Sequence, residues 1–436
     1  MHIMQDRPQT IFILGGDGYL GWSLGLAFAY RTGLRVVLVD NLVKREWERS
    51  IGAKLLVPLG KPKDRIAAYE RAFGKTNLMF EKTDLLDEKA IVRLIRKYRP
   101  FAIVNAAQQP SAPFSMKSAE NAATTYVNNI VGHLNTAWAI TETDRNILYV
   151  KLGSAGCYSG IDTNLVPLAK KDFEFDHEGV VRKVAQSWMP MAASDFYHQS
   201  KISDFLIDDL ACEVWKLRIM TVQQATIFGA TIEENRPEEL HALSTRFNYD
   251  ETFGTVVNRF VCQIAIGHPM TIYGDGAQRT GTISLPDTVD NFITFAHADV
   301  RPGEHAVVHN VTDRLSITEI AETLRDVSGF AKVAFISNPR KEAEGRLTKE
   351  VERHELLRPP RRVADELRAL LEFTERYRDN IDPSLIMPKV RWDHGMPAAM
   401  PGAEQRAATQ HQAPAISPAP APRTAGVRPA GTGDLR

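Results

Sequence analysis

Short apolar runs recur along the first half of the chain, and most are followed by a stretch with helical spacing of apolar positions. A continuous apolar run is typical of a strand buried on both faces of a parallel sheet. Two longer helical patterns cover residues 118–140 and 194–215. The alternation predicts an α/β fold in which helices cover a parallel sheet. The strand-like runs lie at residues 11–14, 35–39, 77–81, 102–105, 147–152 and 217–222.

The first apolar run ends in the glycine-rich turn GGDGYLG at residues 15–21, and the next strand ends in Asp40, nineteen residues after Gly21. A strand, glycine turn, helix, strand and acid at this spacing bind a dinucleotide in a Rossmann-type doubly wound parallel sheet. Gly15 and Gly18 let backbone amides approach a pyrophosphate, and the helix N-terminus adds positive charge. Gly21 lets the helix pack on the strand. Asp40 would bond the ribose hydroxyls of NAD and repel the 2′-phosphate of NADP.

The second half of the chain has a different pattern, which predicts its domain organisation. Residues 1–229 mainly form the NAD-binding domain, interrupted by a polar insertion at about residues 162–187. Residues 230–395 mainly form a smaller C-terminal substrate-binding lobe, with the chain crossing back to the sheet. Residues 396–436 are rich in Ala and Pro with almost no large apolar side chains. This tail is predicted to be disordered, because it cannot bury enough surface to offset its ordering entropy.

The helical pattern 194–215 contains Tyr197 and Lys201, which lie on one helix face because they are four residues apart. A free tyrosine has a pKa of about 10, and a nearby ammonium together with a positive nicotinamide ring would lower it. The phenolate could then take a proton from a sugar hydroxyl while the carbon gives hydride to NAD. Ser154 follows the strand 147–152 at the carboxyl edge of the sheet, where its hydroxyl can bond the same oxygen.

Composition excludes several classes of function. Lys plus Arg equals Asp plus Glu at 53 each, so the zero net charge indicates no nucleic-acid or anionic-membrane partner. Three scattered cysteines are too few for a disulfide framework or a zinc site, and no metal is predicted. No apolar run approaches the roughly 20 residues of a membrane span. Because the N-terminus lacks the apolar core of a signal peptide, we expect a cytoplasmic protein.

Over about residues 10–393 the chain resembles the extended short-chain dehydrogenase/reductases, also called the NAD-dependent epimerase/dehydratases. It is similar in particular to their sulfoquinovose-synthase subfamily. The resemblance rests on GGDGYLGW (15–22), VDNLVKR (39–45), SAPFSM (111–116), NNIVGHLN (128–135), KLGSAG (151–156), FYHQSK (196–201), FNYDETFGTVVNRF (247–260), GHPMTIYGDG (267–276), NPRKEAE (338–344) and IMPKVRW (386–392).

The resemblance implies a site for NAD and for a nucleotide-diphosphate sugar, with Ser154, Tyr197 and Lys201 as the catalytic set. The NAD contacts that it implies are Gly15, Gly18, Tyr19, Leu20, Gly21, Asp40, Asn41, Asp84, Leu85, Ala106, Asn129 and Lys201. The substrate contacts are Gln108, Asn258, Arg259, Arg279 and Arg340, with Asn258 and Arg340 at the diphosphate. Arg279 is included although the family arginine falls one position later. The resemblance also implies a homodimer in which helices 118–140 and 194–215 pair with their copies.

Several departures from the family pattern bear on the reaction. Sulfoquinovose synthesis, as the resemblance implies, oxidises C4, eliminates water across C5 and C6, adds sulfite and returns the hydride. The synthases carry a glutamate three positions after the hydroxyl residue and an arginine just before Ser-Ala-Pro, where this chain has Cys157 and Pro110. The dehydratases carry Asp-Glu directly after the hydroxyl residue, where this chain has Ala155 and Gly156.

These changes favour an NAD-dependent nucleotide-sugar epimerase on a sulfoquinovose-synthase-like scaffold, because 4-epimerisation needs only the catalytic set and NAD. The alternative is a true sulfoquinovose synthase or another nucleotide-sugar dehydratase. A third hypothesis, a non-catalytic NAD-sensing protein, is opposed by the intact catalytic set. Cys157 is either a reactive auxiliary thiol or, as we favour, a small packing residue. His198 is either a base at C5 or a structural hydrogen-bonding residue.

Overall fold

A parallel sheet forms the centre of the fold. The computed structural model describes residues 9–158, 169–189, 191–236, 238–337 and 354–386, and all of them belong to one compact unit. The predicted tail and Arg340 lie outside the described residues.

Strands occur throughout these residues. In chain order they are β1 (Thr10–Leu14), β2 (Arg35–Asp40), β3 (Leu78–Lys82), β4 (Ala102–Asn105), β5 (Leu148–Leu152), β6 (Ala169–His177), β7 (Val180–Met189), β8 (Arg218–Gln224), β9 (Thr226–Phe228), β10 (Met270–Tyr273), β11 (Arg279–Ser284), β12 (His305–Asn310), β13 (Asp313–Ser316) and β14 (Val333–Ile336).

Helices connect most of the strands of the central sheet. They are α1 (Tyr19–Arg31), α2 (Val43–Ser50), α3 (Pro62–Phe73), α4 (Glu88–Tyr98), α5 (Ala112–Ser115), α6 (Ala119–Tyr126), α7 (Gly132–Thr143), α8 (Phe196–Trp215), α9 (Val256–Ala265), α10 (Leu285–Phe295), α11 (Ile317–Ser328) and α12 (Val363–Arg376).

The order of strands in the central sheet creates a place for a ligand. The order is β12-β8-β5-β4-β1-β2-β3, and every neighbouring pair is parallel. All residues of β1 and β4 are buried, which explains their continuous apolar sequence. The strand order reverses between β1 and β4, so the loops at their carboxyl ends leave a crevice in which ligands bind in such sheets. The predicted Rossmann-type doubly wound sheet is confirmed.

A second apolar core is distinct from the apolar clusters that pack on the central sheet. It contains Phe247, Tyr249, Phe260, Leu324 and Leu370, contributed mainly by α9, α11, α12 and the segment before α9. The small sheets β13-β11-β9 and β10-β14 belong to the same half of the chain. The exact division near residue 229 stays a prediction.

Two stretches differ from the expected secondary structure. The predicted helix 118–140 consists of α6 and α7 joined by a π-helical turn at Val127–Val131. The polar insertion, for which no secondary structure was predicted, contains the antiparallel hairpin β6–β7, in which Glu174 pairs with Lys183. Residues 176–183 of the hairpin are exposed, and its sequence has no long apolar run, so the pattern of apolar residues did not indicate it.

Candidate active site

The glycine turn joins β1 to α1 and leaves room for a ligand at the crevice. Gly15 has φ of +81°, and a Cβ at this position would lie 2.7 Å from the carbonyl oxygen of Ala106. A Cβ on Gly21 would overlap the carbonyl oxygen of Gly15. Gly18 caps the N-terminus of α1, whose unpaired amides face the crevice. The turn therefore requires glycine for both its own path and the approach of the helix.

Asp40 ends β2 with its carboxylate fixed by two backbone amides. It accepts hydrogen bonds from the N–H of Asp17 at 2.9 Å and of Leu42 at 2.6 Å. Burial raises the pKa of Asp40 above its ordinary value, and these two hydrogen bonds oppose that rise. Beside it, the amide of Asn41 donates to the carboxylate of Asp84 at 3.0 Å. The acid that the sequence assigned to the ribose is thus held in one orientation at the cleft wall.

Asp17, inside the glycine turn, is the centre of a buried charge cluster that the sequence analysis missed. Its carboxylate contacts Arg45 at 2.7 Å, Arg65 at 3.3 Å and Arg246 at 2.5 Å. Burial alone would raise the pKa of Asp17, but the hydrogen bond from Arg45 and the three positive charges hold it below its ordinary value. The arginines are 28, 48 and 229 residues away in sequence. The one local sequence signal for the cluster is Asp17 itself, an acidic residue inside the glycine turn.

Ser154 and Tyr197 meet at the floor of the cleft. Ser154 follows β5, Tyr197 lies in the first turn of α8, and both line the cleft, where the Ser154 hydroxyl is close enough to lower the pKa of Tyr197. The same serine is held by Gly156, whose N–H donates to its hydroxyl at 3.0 Å. Its own N–H donates to the side-chain carbonyl of Gln223 at 3.0 Å. The two predicted hydroxyl groups are therefore brought together.

Lys201 lies behind Tyr197, as the four-residue spacing requires. Its ammonium donates to the carbonyl of Leu152 at 2.7 Å and lies 5.6 Å from the centre of the Tyr197 ring. Burial, reinforced by the charge of Lys151, lowers the pKa of Lys201 to about 7. Burial also raises the pKa of Tyr197, with Asp195 adding to the rise and the Ser154 hydrogen bond opposing it. In the protein without NAD, the pKa of Tyr197 is therefore raised by burial, whereas the sequence analysis predicted that it would be lowered.

Cys157 is fully buried in the short turn that follows Ser154. Burial raises the pKa of its thiol to about 12, although the nearby ammoniums of Lys151 and Lys201 oppose this. The thiol is therefore neutral at neutral pH, which favours the packing interpretation over the reactive one.

His198 forms a dyad with Asp195, a residue that the sequence analysis did not single out. Asp195 caps α8 by accepting from the backbone N–H of His198 at 2.8 Å, and its other oxygen lies 2.6 Å from Nδ1 of the ring. Nε2 points at Gly156, where a Cβ would overlap it. An acid three residues before the histidine, at a helix N-terminus, is the sequence signal that could have revealed the dyad.

One continuous cleft of about 920 Å³ joins these groups. Cys157, Lys201 and Asn129 lie behind its wall, whereas most of the predicted site residues line it. The predicted residues that line it are Gly15, Gly18, Tyr19, Leu20, Gly21, Asp40, Asn41, Asp84, Leu85, Ala106, Gln108, Ser154, Tyr197, His198, Asn258, Arg259 and Arg279.

Asn129 and Gln108 connect the cleft wall to α8. Asn129 accepts from the N–H of Gln109 at 2.8 Å and donates to the hydroxyl of Ser200 at 3.0 Å. Gln108 donates to the carboxylate of Asp204 at 2.9 Å. Asn129 thus positions the 106–110 loop, while Gln108 itself reaches the cleft.

The other predicted substrate residues lie across the cleft on the second core. Asn258 donates to the carbonyl of Asn248 at 2.9 Å, and its side-chain oxygen is buried without a hydrogen-bond partner among the described residues. Arg259 is buried next to it on α9. Arg279 lies at the rim, where Glu319 holds its guanidinium at 2.7 and 2.9 Å. All three residues line the cleft, and Arg279 is held there by an acidic partner.

Within the described part of the chain, no group of three His, Cys, Asp or Glu side chains is arranged to hold a metal ion. In the same residues, no helix has the length and apolar character needed to cross a membrane.

Comparison with known proteins agrees with this geometry. Residues 11–183 match the sequence model of the NAD dependent epimerase/dehydratase family. The chain is 31% identical over 391 residues to the chloroplastic UDP-sulfoquinovose synthase of Spinacia oleracea, covering 88% of this chain and 79% of that protein. The chain belongs to the NAD-dependent epimerase/dehydratase family. A second relative, the UDP-sulfoquinovose synthase of Sulfolobus acidocaldarius, is 30% identical over 395 residues, which are 88% of this chain and 97% of that protein.

Solved structures share the fold at lower identity. The UDP-glucuronic acid 4-epimerase of Bacillus cereus, in complex with UDP-glucuronic acid and NAD, matches with a TM-score of 0.60 at 15% identity. The match covers 84% of this chain and 99% of that chain. NAD is the cofactor of this family, and the glycine turn together with the amide-held carboxylate of Asp40 fits it.

Proposed function

We propose that this family member is an NAD-dependent 4-epimerase of a nucleotide-diphosphate sugar. The observation that supports it most directly is that Ser154 and Tyr197 line the same cleft as the glycine turn, with the serine hydroxyl close enough to lower the pKa of the tyrosine. A sugar hydroxyl bound there meets one residue that can take its proton and a second that can hold its oxygen.

Each residue of the catalytic set has a separate role at the C4 hydroxyl of the sugar. Tyr197 removes the proton of the C4 hydroxyl, Ser154 bonds its oxygen, and Lys201 stabilises the phenolate from behind. NAD, when bound, supplies the hydride acceptor and a positive ring that favours the phenolate. After rotation of the keto sugar, Tyr197 would return the proton to the C4 oxygen, and bound NAD would supply the hydride for the opposite face of C4.

The nucleotide diphosphate binds on the opposite wall in this proposal. Asn258 and Arg259 offer an amide and a guanidinium at the cleft, and an arginine fork suits a diphosphate. Arg279 at the rim would first have to leave Glu319. Arg340, which lies outside the described residues, stays a predicted contact.

Epimerisation is favoured because the groups specific to elimination are absent from their expected positions. Ala155 and Gly156 cannot move a proton, and Pro110 cannot bind an anion through its side chain. Cys157 lies behind the cleft wall as a neutral thiol. The catalytic set alone suffices for 4-epimerisation.

The His198–Asp195 dyad and the two synthase relatives favour a second candidate, a UDP-sulfoquinovose synthase. Removal of the C5 proton would require a base, and an imidazole whose Nδ1 is fixed by a carboxylate has Nε2 free for that role. This nitrogen occupies the space over Gly156, the position at which the dehydratase pattern has a glutamate. The dyad could therefore replace that glutamate in elimination across C5 and C6.

Incubation in heavy water separates the candidates. The holoenzyme is supplied with UDP-glucose, UDP-N-acetylglucosamine or UDP-glucuronic acid, each with and without sulfite, and the products are analysed by NMR and mass spectrometry. The proposed function requires a C4 epimer with unlabelled C5 and no dependence on sulfite. Deuterium at C5 would contradict pure 4-epimerisation and favour elimination or other chemistry at C5, whereas a sulfite-dependent product would establish the second candidate. His198→Gln should then abolish either result. Tight NAD binding with no turnover of any sugar would leave the NAD-sensing hypothesis.

We also propose that the chain forms a homodimer through helices α6 to α8. Val131, Leu134 and Trp138 form one exposed apolar stripe, and Leu206 and Leu210 form another on α8. The two stripes are neighbours, because Trp138 packs edge-on against Trp215 at the end of α8. The centres of the two rings are 5.0 Å apart. An exposed apolar patch of this kind marks an interaction surface, and a second copy is the partner that the family resemblance implies.

A further inference from the structure

Gln108 lies at the carboxyl end of β4, beside the loop that carries Ser154. The strands β4 and β5 are parallel neighbours, and Asn105 is paired with Lys151 in their register. Gln108 and Ser154 each follow this pair by three residues, and both line the cleft. Because neighbouring strands are about 4.8 Å apart, the two loops leave the same edge of the sheet side by side. Gln108 is therefore a neighbour of the serine that bonds the C4 oxygen in the proposed function.

A buried ion pair fixes the orientation of the Gln108 amide. Oδ2 of Asp204 lies 2.7 Å from the ammonium of Lys151, and both of these side chains are fully buried. The same oxygen accepts a hydrogen bond from Nε2 of Gln108 at 2.9 Å. A carboxylate paired with an ammonium only accepts hydrogen bonds, so the amide nitrogen must face it. The amide oxygen cannot take this place, because two acceptors would then face each other.

The amide oxygen of Gln108 is left without a partner. Oε1 is buried, and no hydrogen-bond donor reaches it among the residues that the structure describes. The amide of the next residue, Gln109, is already engaged, since it donates to the carbonyl of Ser111 at 3.0 Å and to the hydroxyl of Thr125 at 2.8 Å. Buried acceptors in proteins are nearly always paired. A group that binds beside Oε1 must therefore bring a donor of its own.

We propose that Oε1 of Gln108 accepts a hydrogen bond from a sugar hydroxyl next to C4, either at C3 or at C6. The proposal rests on the proposed function, which brings C4 to Ser154 and Tyr197. A buried acceptor held in one orientation selects for a donor. A hydroxyl satisfies it, whereas a fluorine or a carboxylate on the same carbon places a second acceptor against it. Gln108 is then a specificity-determining residue, and the buried ion pair keeps its amide from turning.

Equilibrium binding to the full chain saturated with NAD tests the proposal. Every protein carries Tyr197→Phe, so that no turnover disturbs the measurement. Calorimetry compares UDP-glucose with its 3-deoxy-3-fluoro and 6-deoxy-6-fluoro analogues. We expect one analogue to bind at least about tenfold more weakly than UDP-glucose, and that analogue identifies the hydroxyl. Gln108→Met removes the acceptor at similar size and should bring this ratio of affinities to within about threefold of one.

Gln278→Met is the matched control. Gln278 also lines the cleft, but it lies just before β11 and donates to the carbonyl of Tyr273. The same chemical change there should leave the ratio of affinities unchanged, whatever it does to the binding of all three sugars. The carboxamide of NAD is another donor that binds in such a cleft, so the affinity of each NAD-free protein for NAD is measured as well.

The possible results separate this proposal from the proposed function. Equal binding of the three sugars by the protein with Gln108 intact overturns this proposal alone, as does a tenfold ratio that persists in Gln108→Met. Weaker NAD binding by Gln108→Met with an unchanged ratio overturns it too, and would assign the oxygen to the carboxamide of NAD. If Gln108→Met does not fold, Gln108→Ala takes its place. Failure of all three sugars to bind would refute the proposed function together with this proposal.

Discussion

Replacing Asp17 by asparagine tests whether a buried charge cluster holds the cofactor turn. The side chains of Asp17, Arg65 and Arg246 are 2%, 1% and 2% exposed. Asparagine keeps the shape of the turn but leaves these guanidiniums without their common carboxylate. Removing one partner of a buried ion pair costs about 3–5 kcal/mol. Because Glu48 still pairs with Arg246, we expect a loss near the lower end, about 3 kcal/mol of the free energy of unfolding.

Urea unfolding of the NAD-free protein measures this loss. The matched control is Arg45→Gln, which removes the more exposed member of the same cluster, whose side chain is 25% exposed. Since a partly solvated pair contributes little, the control should lose less than about 1 kcal/mol. An Asp17→Asn protein as stable as the control would refute the argument that the buried arginines depend on this carboxylate.

The dependence of this stability on pH follows from the lowered pKa of Asp17. The folded pKa is below the ordinary value of 3.8, so the unfolded chain binds the proton first as the pH falls. The contribution of Asp17 is therefore fully present above that value and is lost as the pH falls through the folded pKa. The difference in unfolding free energy between wild type and Asp17→Asn should be constant from about pH 6 to pH 8 and shrink below about pH 4.

Three other outcomes are expected. Tyr197→Phe should lower turnover by at least about a hundredfold while NAD still binds, measured by steady-state kinetics and calorimetry. Gly21→Ala should weaken NAD binding at least about tenfold, because its Cβ overlaps a backbone carbonyl and the turn must shift; unchanged affinity in calorimetry would contradict this. Leu210→Asp should yield monomers in light scattering, whereas Val180→Asp should leave the dimer intact, since Val180 is also an exposed apolar residue but lies on the hairpin.

The central sheet was predictable because its strands are buried on both faces. β1, β4 and the inner part of β2 are continuous apolar runs, and each lies next to a helical stretch. The hairpin β6–β7 was missed for the converse reason. Its strands, AKKDFEFDH and VVRKVAQSWM, mix charged, polar and apolar residues and contain no long apolar run, which matches no buried-strand pattern.

The candidate site was predictable where spacing along one element determines geometry. Tyr197 and Lys201 share a helix face, and the glycine turn is local to β1 and α1. The contacts that tune the site join distant parts of the chain and have no local pattern. Lys151 and Asp204 are 53 residues apart, and the partners of Asp17 come from α2, α3 and the segment before α9.

The two candidate reactions differ in one proton at C5, and two positions of this chain bear on it in opposite ways. Cys157 places a buried, neutral thiol where the synthase pattern has a glutamate, so this position has no carboxylate to move the C5 proton. Gly156 lacks a side chain, and the ring of His198 occupies the space that one would fill. A histidine there either packs over the C4 site or abstracts the C5 proton, and its carboxylate partner Asp195 makes the second role chemically competent. Whether this scaffold catalyses epimerisation or elimination would then depend on whether the imidazole of His198 can contact the C5 proton. The deuterium experiment measures this directly.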